Sequence, residues 1–75
     1  MGTKIQLGDL VVIPDGTKYT TVGMEATKTR RAKKDKQVRV AEICYSAGEL
    51  AWETDPDATG PTSMNYVSLK AVRRL

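Results

Sequence analysis

The chain has 75 residues, a formal net charge of +3 at neutral pH, one cysteine and no histidine. Because Cys44 is alone, an intramolecular disulfide is excluded, and without histidine the ligands of a zinc finger or zinc knuckle are missing. No run approaches the roughly 18 apolar residues of a membrane span, and no signal-peptide pattern is present. We therefore expect a single cytoplasmic domain over residues 1–75 without membrane contact, small enough that self-association is plausible.

The first half of the chain predicts two strands and a loop. Val, Ile, Thr and Tyr cluster in short runs bounded by Gly, Pro and Asp, which is typical of an all-β domain. Residues 5–13 form the first predicted strand, which ends at the turn Pro14-Asp15-Gly16, and residues 18–22 form a short second strand. Residues 23–37 are polar and rich in Thr and Lys, so we expect a long exposed loop there.

The second half predicts a bent hairpin and a closing strand. Residues 37–45 and 49–55 flank the turn Ser46-Ala47-Gly48, and Leu50 and Trp52 share one face of the second strand. The apolar residues of the first strand change parity, which a bulge near Ala41-Glu42 would explain. We expect Trp52 and Tyr45 in the core. After a loop over residues 55–63, residues 64–69 form a strand, and residues 70–75 form a short turn and a last strand.

This pattern resembles a known family of folds. The opening run Gly8-Asp9-Leu10-Val11-Val12-Ile13, the long first loop, the bent hairpin with Trp52 and the closing residues 67–75 look like an SH3-like small β-barrel. The resemblance implies five strands, the last of which follows a single 3₁₀ turn and pairs with the first. The opening Gly-Asp-x-Val-Val is also similar to the start of a KOW motif, whose Gly-x-x-Gly-x-Val continuation is absent after Gly16. The expected fold is a five-stranded SH3-like barrel with a long basic first loop.

A basic run is the strongest functional signal. Seven of the twelve basic residues lie between positions 28 and 39, where Asp35 is the only acid, and the rest of the chain is net negative. Such a local run is typical of a domain that binds nucleic acid, although a solvated charge run would give the same count. The run could also form a short helix over residues 24–36 on binding. The predicted nucleic-acid-binding residues are Lys28, Arg30, Arg31, Lys33, Lys34, Lys36, Arg39, Arg73 and Arg74.

The aromatic and acidic residues limit this interpretation. Tyr19 and Tyr66 are the rings most free to stack on bases, so backbone binding is favoured over base stacking. Residues 40–69 contain five acids and no Lys or Arg. They could form a patch that contacts a basic protein surface, or an ordinary solvated strand face. The acids are Glu42, Glu49, Glu53, Asp55 and Asp57.

The sequence predicts no enzymatic chemistry. Cys44 has no histidine to activate it, and its place in a strand favours a small buried side chain. The Asp-x-Asp-x-x-Gly pattern from Asp55 to Gly60 resembles the start of a calcium loop, but Tyr66 stands where a bidentate Glu is needed. We predict neither cofactor nor metal.

Two functional hypotheses remain open. The first is a non-enzymatic nucleic-acid-binding module, DNA or RNA, that grips phosphates through the basic loop with little sequence preference. The alternative is a small protein–protein adaptor or inhibitor whose basic loop docks on an acidic protein surface. Stand-alone barrels of this size resemble the accessory proteins that bacteriophages use to redirect host machinery.

Overall fold

Short strands make up the regular structure of the chain. The computed structural model describes residues 4–23, 26–55, 57 and 63–75, and over these residues it contains eight strands and no helix. The prediction of an all-β fold is therefore confirmed. The strands are β1 (Leu10–Ile13), β2 (Lys18–Val22), β3 (Thr27–Arg31), β4 (Lys36–Arg39), β5 (Glu42–Cys44), β6 (Glu49–Glu53), β7 (Met64–Ser68) and β8 (Arg73–Arg74).

The strands pair into two antiparallel sheets. One sheet has the order β4-β1-β8 and the other has the order β3-β2-β7-β6-β5. The last strand pairs with the first, as expected, with Val11 opposite Arg74 and Val12 opposite Arg73. Backbone pairing among the described residues leaves the sheets separate instead of closing them into a barrel, and the strands there number eight instead of five.

The segment from β4 to β5 connects the two sheets by a bend. β4 belongs to the three-stranded sheet and β5 to the five-stranded sheet. Glu42 lies opposite Ala51, and the Ala41 N–H also donates to the Ala51 carbonyl at 2.8 Å. Two residues thus face one, which is the bulge that the parity change predicted. The bulge lets Val38 and Ile43 both pack on the core although they differ in parity.

One apolar cluster joins the sheets. Val11, Ile13 and Val38 come from the three-stranded sheet, and Leu50 and Val67 come from the five-stranded sheet. Trp52 is buried, as predicted, but the prediction for Tyr45 is wrong because its side chain is 53% exposed. β5 ends at Cys44, so Tyr45 already lies in the turn. Cys44 is exposed as well, because once the bulge turns Ile43 inward its neighbour must point outward.

β3 is the main departure from the predicted elements. The loop expected over residues 23–37 contains this strand, which pairs along its full length with β2, so the loop prediction is wrong at Thr27–Arg31. All five residues of β3 are exposed, as the sequence indicated. A strand at a sheet edge gains its backbone hydrogen bonds on one side without burying side chains, and that leaves no apolar alternation in the sequence.

Candidate nucleic-acid interface

Strand β3 sorts the first basic residues onto two faces. Arg30 lies opposite Tyr19 and Lys28 lies opposite Thr21, so these cations share the face of β2 that carries Tyr19. Arg31 lies opposite Lys18 and points to the other face. Because successive side chains of a strand point to opposite faces, β3 places Lys28 and Arg30 on one face of the sheet and Arg31 on the other.

The segment that follows β3 completes a concave basic surface. An open depression of about 500 Å³ lies between the end of β3 and the start of β4. We call it the basic depression, and its lining residues are Tyr19, Arg30, Arg31, Ala32, Lys33, Lys34, Asp35 and Lys36. Asp35 is the only acid among them. The structure therefore brings together five of the nine predicted site residues.

Tyr19 joins the basic depression to the core. Its ring packs on the Trp52 ring with the centroids 5.2 Å apart and the planes inclined at 53°. Such tilted aromatic pairs are stabilising beyond the area they bury. Tyr19 is half-buried and packed on Trp52, so it supports the surface more than it provides a free ring for base stacking.

Backbone contacts hold the connection between β3 and β4 in place. The Ala32 N–H donates to the Thr17 carbonyl at 2.9 Å, and the Gly16 N–H donates to the Ala32 carbonyl at 2.8 Å. Ala32 is itself buried and provides an apolar anchor that the sequence did not reveal. Gly16 has a φ of +85°, which favours glycine in this turn. The lysines at positions 33 and 34 therefore project from an ordered turn.

Most cations around the basic depression have no partner within the part of the chain that the structure describes. Four of the cations that line it make no side-chain hydrogen bond or ion pair with the residues that the structure describes, and neither does Lys28 further along β3; the four are Arg30, Lys33, Lys34 and Lys36. Arg31 is different, because its Nη1 donates to the Gly16 carbonyl at 2.7 Å and secures the turn. Arg73 forms an exposed ion pair with Asp35, at 3.5 Å from Nη2 to Oδ2. The pair brings Arg73 to the border of the depression.

Arg39 and Arg74 lie apart from this cluster. Arg39 is at the opposite end of β4 from Lys36, about 10 Å away along the strand. Its Nη1 donates to the Gly8 carbonyl at 2.8 Å. Both arginines line a second depression, together with Gly8, Asp9, Leu10 and Leu75. Lys36 and Arg39 are only three residues apart in the sequence, at the two ends of β4, so the sequence did not show that they line different depressions.

A groove of opposite charge lies on the other half of the five-stranded sheet. It has a volume of about 880 Å³. Glu42 and Glu49 are on the outward face of β5 and β6, and no lysine or arginine is among the described residues that line the groove. We call it the acidic groove, and its lining residues are Gln6, Leu7, Ala41, Glu42, Ile43, Cys44, Tyr45, Ala47, Glu49, Leu50, Ala51 and Tyr66. Glu53 shares the same strand face, whereas Asp55 and Asp57 lie beyond the end of β6.

Two titratable groups in the acidic groove have shifted pKa values. Burial raises the pKa of Tyr66, and the nearby Glu42 carboxylate raises it further, with the Tyr66 hydroxyl donating to Oε2 at 3.4 Å. For Cys44, hydrogen bonds with the Ser46 hydroxyl and the Ala47 backbone lower the thiol pKa. The Cys44 Sγ lies 3.4 Å from the Ser46 Oγ. The groove thus contains an accessible thiol beside carboxylates.

Other classes of site find little support in the described part of the chain. Within it, no group of three or more potential metal-ligating side chains is assembled, and no helix could cross a membrane. Most of the segment from Asp55 to Gly60, which resembled a calcium loop, lies outside the described residues. Comparison of the chain with models of protein families, with curated proteins and with solved structures gave no match.

Proposed function

We propose that this chain is a non-enzymatic module that binds the phosphate backbone of nucleic acid through the basic depression. The observation that carries the proposal is a set of four cations that line one concave surface and have no partner among the described residues, with a fifth such cation on the same face of β3. The four are Arg30, Lys33, Lys34 and Lys36, and the fifth is Lys28. Cations that the fold does not neutralise attract a polyanion and release its counterions on binding.

The shape of the basic depression supports backbone binding over base reading. It is open, and its aromatic ring, Tyr19, is half-buried and packed on Trp52. In the described residues no helix is available to enter a major groove. Phosphate contacts position a nucleic acid without reading its sequence, so we expect low sequence specificity.

The finer fold that we propose is an SH3-like arrangement in which the two sheets stay partly open. Three features support it: the bent segment from β4 to β5, the pairing of β8 with β1, and a single core between the sheets. In this arrangement the β2–β3 hairpin takes the place of the long first loop. The basic depression then lies at the base of that hairpin.

A matched pair of triple variants tests the proposal. Lys33→Ala/Lys34→Ala/Lys36→Ala removes three charges from the basic depression, and Lys4→Ala/Lys18→Ala/Lys70→Ala removes three exposed lysines that do not line it. Binding to a duplex of random sequence is measured between about 50 and 200 mM salt. Each lost phosphate contact lowers the slope of log K against log salt by about 0.9, so the first variant should lose a slope of roughly 3. The control should keep most of the slope and most of the affinity.

Two results would contradict the proposal. One is wild-type protein that binds neither duplex nor single-stranded nucleic acid at low salt. The other is an equal loss in both variants, which would indicate attraction by net charge and no defined surface. Thermal melts of both variants ensure that any loss of binding reflects charge and not unfolding.

A further inference from the structure

Four of the five large apolar side chains that are exposed in the described residues gather in one region. Leu7 and Tyr45 line the acidic groove, and Leu10 and Leu75 line the second depression. The segment Gln6-Leu7-Gly8-Asp9-Leu10 contributes to both surfaces, so they are neighbours. Clustered exposed apolar groups with a polar rim indicate an interaction surface, whereas single ones do not.

Leu7 occupies an unusual place for a leucine. The Asp9 N–H donates to the Gln6 carbonyl at 3.1 Å, and the Gln6 N–H donates to Asp9 Oδ2 at 2.9 Å, so residues 6–9 form a tight turn. Gly8 has a φ of +86°, which suits the third position of such a turn. Leu7 therefore stands at the tip of an ordered turn with 66% of its surface exposed. Because the backbone of the turn is already ordered, a partner that buries Leu7 does not have to order this segment.

The charges on the two sides of this turn are opposite. Glu42 and Glu49 belong to the acidic groove on one side. On the other side Arg39 and Arg74 flank Leu10 and Leu75, and Asp9 there is turned back to the Gln6 N–H. We call the residues Leu10, Arg39, Arg74 and Leu75 the leucine–arginine patch. With Asp9 included, the residues on the second side carry two positive charges and one negative charge, and with Lys4 beside Tyr45 included, those on the first side carry two negative charges and one positive charge, so the net signs are complementary.

We propose that this surface is a two-fold interface between two copies of the chain. A rotation of 180° about an axis near Gly8 would place the leucine–arginine patch of one copy over the acidic groove of the other, and the reverse contact would follow by symmetry. An isologous interface needs a surface that is complementary to itself, and adjacent patches of opposite sign meet that condition. The proposal does not depend on nucleic-acid binding, since the basic depression would stay uncovered.

The first test is the dependence of the molar mass on protein concentration at low salt. We expect wild-type protein to change from monomer to dimer between micromolar and sub-millimolar concentration in sedimentation equilibrium. Leu7→Asp should weaken dimerisation at least about tenfold, because a central apolar contact becomes a buried charge. The matched control is Val22→Asp, since Val22 is also an exposed apolar residue but lies on β2, outside both surfaces.

A charge exchange tests the two-fold geometry directly. Glu49→Lys alone and Arg74→Glu alone should each weaken dimerisation. In either variant the groove of one copy and the patch of the other place like charges opposite each other, and the two-fold symmetry repeats this repulsion in both halves of the interface. An equimolar mixture of the two single variants restores attraction in both halves, so it should form a heterodimer of near wild-type affinity. Only a surface that pairs acidic groove with leucine–arginine patch predicts this rescue.

The reactivity of Cys44 gives an independent measurement. Its exposed thiol lines the acidic groove, so the partner copy would cover it. The rate of alkylation per molecule should fall as the protein concentration rises, and Leu7→Asp should move that fall to at least about tenfold higher concentration. The proposal is overturned if the protein stays monomeric throughout, if Val22→Asp weakens the dimer as much as Leu7→Asp, or if the mixed variants do not associate.

Discussion

The basic depression and the acidic groove use the same five-stranded sheet, but their aromatic side chains are held in different ways. In the basic depression Tyr19 packs on buried Trp52, so the cations surround a ring that belongs to the core. In the acidic groove Tyr45 lies on the surface, held by the Ile5 carbonyl at 2.6 Å and by Lys4, whose Nζ is 5.2 Å from the ring centroid. The ring in the basic depression therefore packs on the core, whereas the ring in the acidic groove lies on the protein surface.

The largest expected effect follows from this difference. Trp52→Ala removes a buried ring from the cluster that joins both sheets, and should lower the free energy of unfolding by about 3–5 kcal/mol. Since a domain of this size has only a few kcal/mol of stability, the variant should be largely unfolded. Tyr45→Ala loses an exposed hydrogen bond and surface contacts and should lower it by about 1 kcal/mol.

Urea denaturation followed by circular dichroism measures both free energies. Tyr45→Phe is the matched control, because it keeps the ring over Lys4 and removes only the hydroxyl that donates to Ile5. Equal losses for Trp52→Ala and Tyr45→Ala would show that the two aromatic positions do not differ in the way that their burial indicates.

Elements that bury apolar side chains leave a pattern in the sequence, and these elements could be predicted. Leu50 and Trp52 share one face of β6, and Glu49 and Glu53 lie on the other, so both the strand and the face with the large buried side chains were predictable, whereas the burial of Ala51 on the opposite face was not. The bulge at Ala41 was predictable from the change of parity between Val40 and Ile43. The same bulge turns Cys44 outward. Burial of Cys44 was predicted because only its place in a strand was considered and not the face on which it lies.

The parts that could not be predicted depend on partners far along the chain. β3 has no buried side chain, so only its pairing with β2 distinguishes it from a loop. Lys36 and Arg39 line different depressions because they lie at opposite ends of β4. The acidic groove combines residues 6–7 with residues 41–51 and Tyr66, a distance in sequence that no local pattern describes.

A smaller effect is expected at Asp35, the only acid among the described residues that line the basic depression. Asp35 accepts a hydrogen bond from the Asp15 N–H at 2.9 Å and forms the exposed pair with Arg73. Asp35→Asn keeps an oxygen for the Asp15 N–H and removes the negative charge. Repulsion of a phosphate by one nearby charge in water is about 1 kcal/mol, so affinity for duplex DNA should rise about fivefold.

Stability separates this effect from a change in structure. Exposed ion pairs contribute about 0–1 kcal/mol, so Asp35→Asn should melt close to wild type. Glu53→Gln is the matched control, because it removes one exposed acid that does not line the basic depression and should change DNA affinity little. An equal gain of affinity in both variants would mean that net charge alone governs binding.

The smallest effect is expected at Tyr66, where the acidic groove affects a proton equilibrium. Burial first, and the Glu42 carboxylate second, raise the pKa of Tyr66 above its usual value near 10. In the unfolded chain both influences are absent, so the unfolded state releases this proton at lower pH than the folded state. The contribution of Tyr66 to stability is therefore fully present below pH 10 and is lost as the pH rises through the folded-state pKa.

Glu42→Gln removes the carboxylate but not the burial, so it should lower the pKa of Tyr66 only part of the way to the usual value. Phenolate absorbance measures the shift, with Tyr66→Phe as the reference that isolates this tyrosine from Tyr19 and Tyr45. A complete return to the usual pKa in Glu42→Gln would show that the carboxylate, and not burial, is the main cause. A Tyr66 pKa unchanged by Glu42→Gln would show that the hydroxyl does not sense the acidic groove at all.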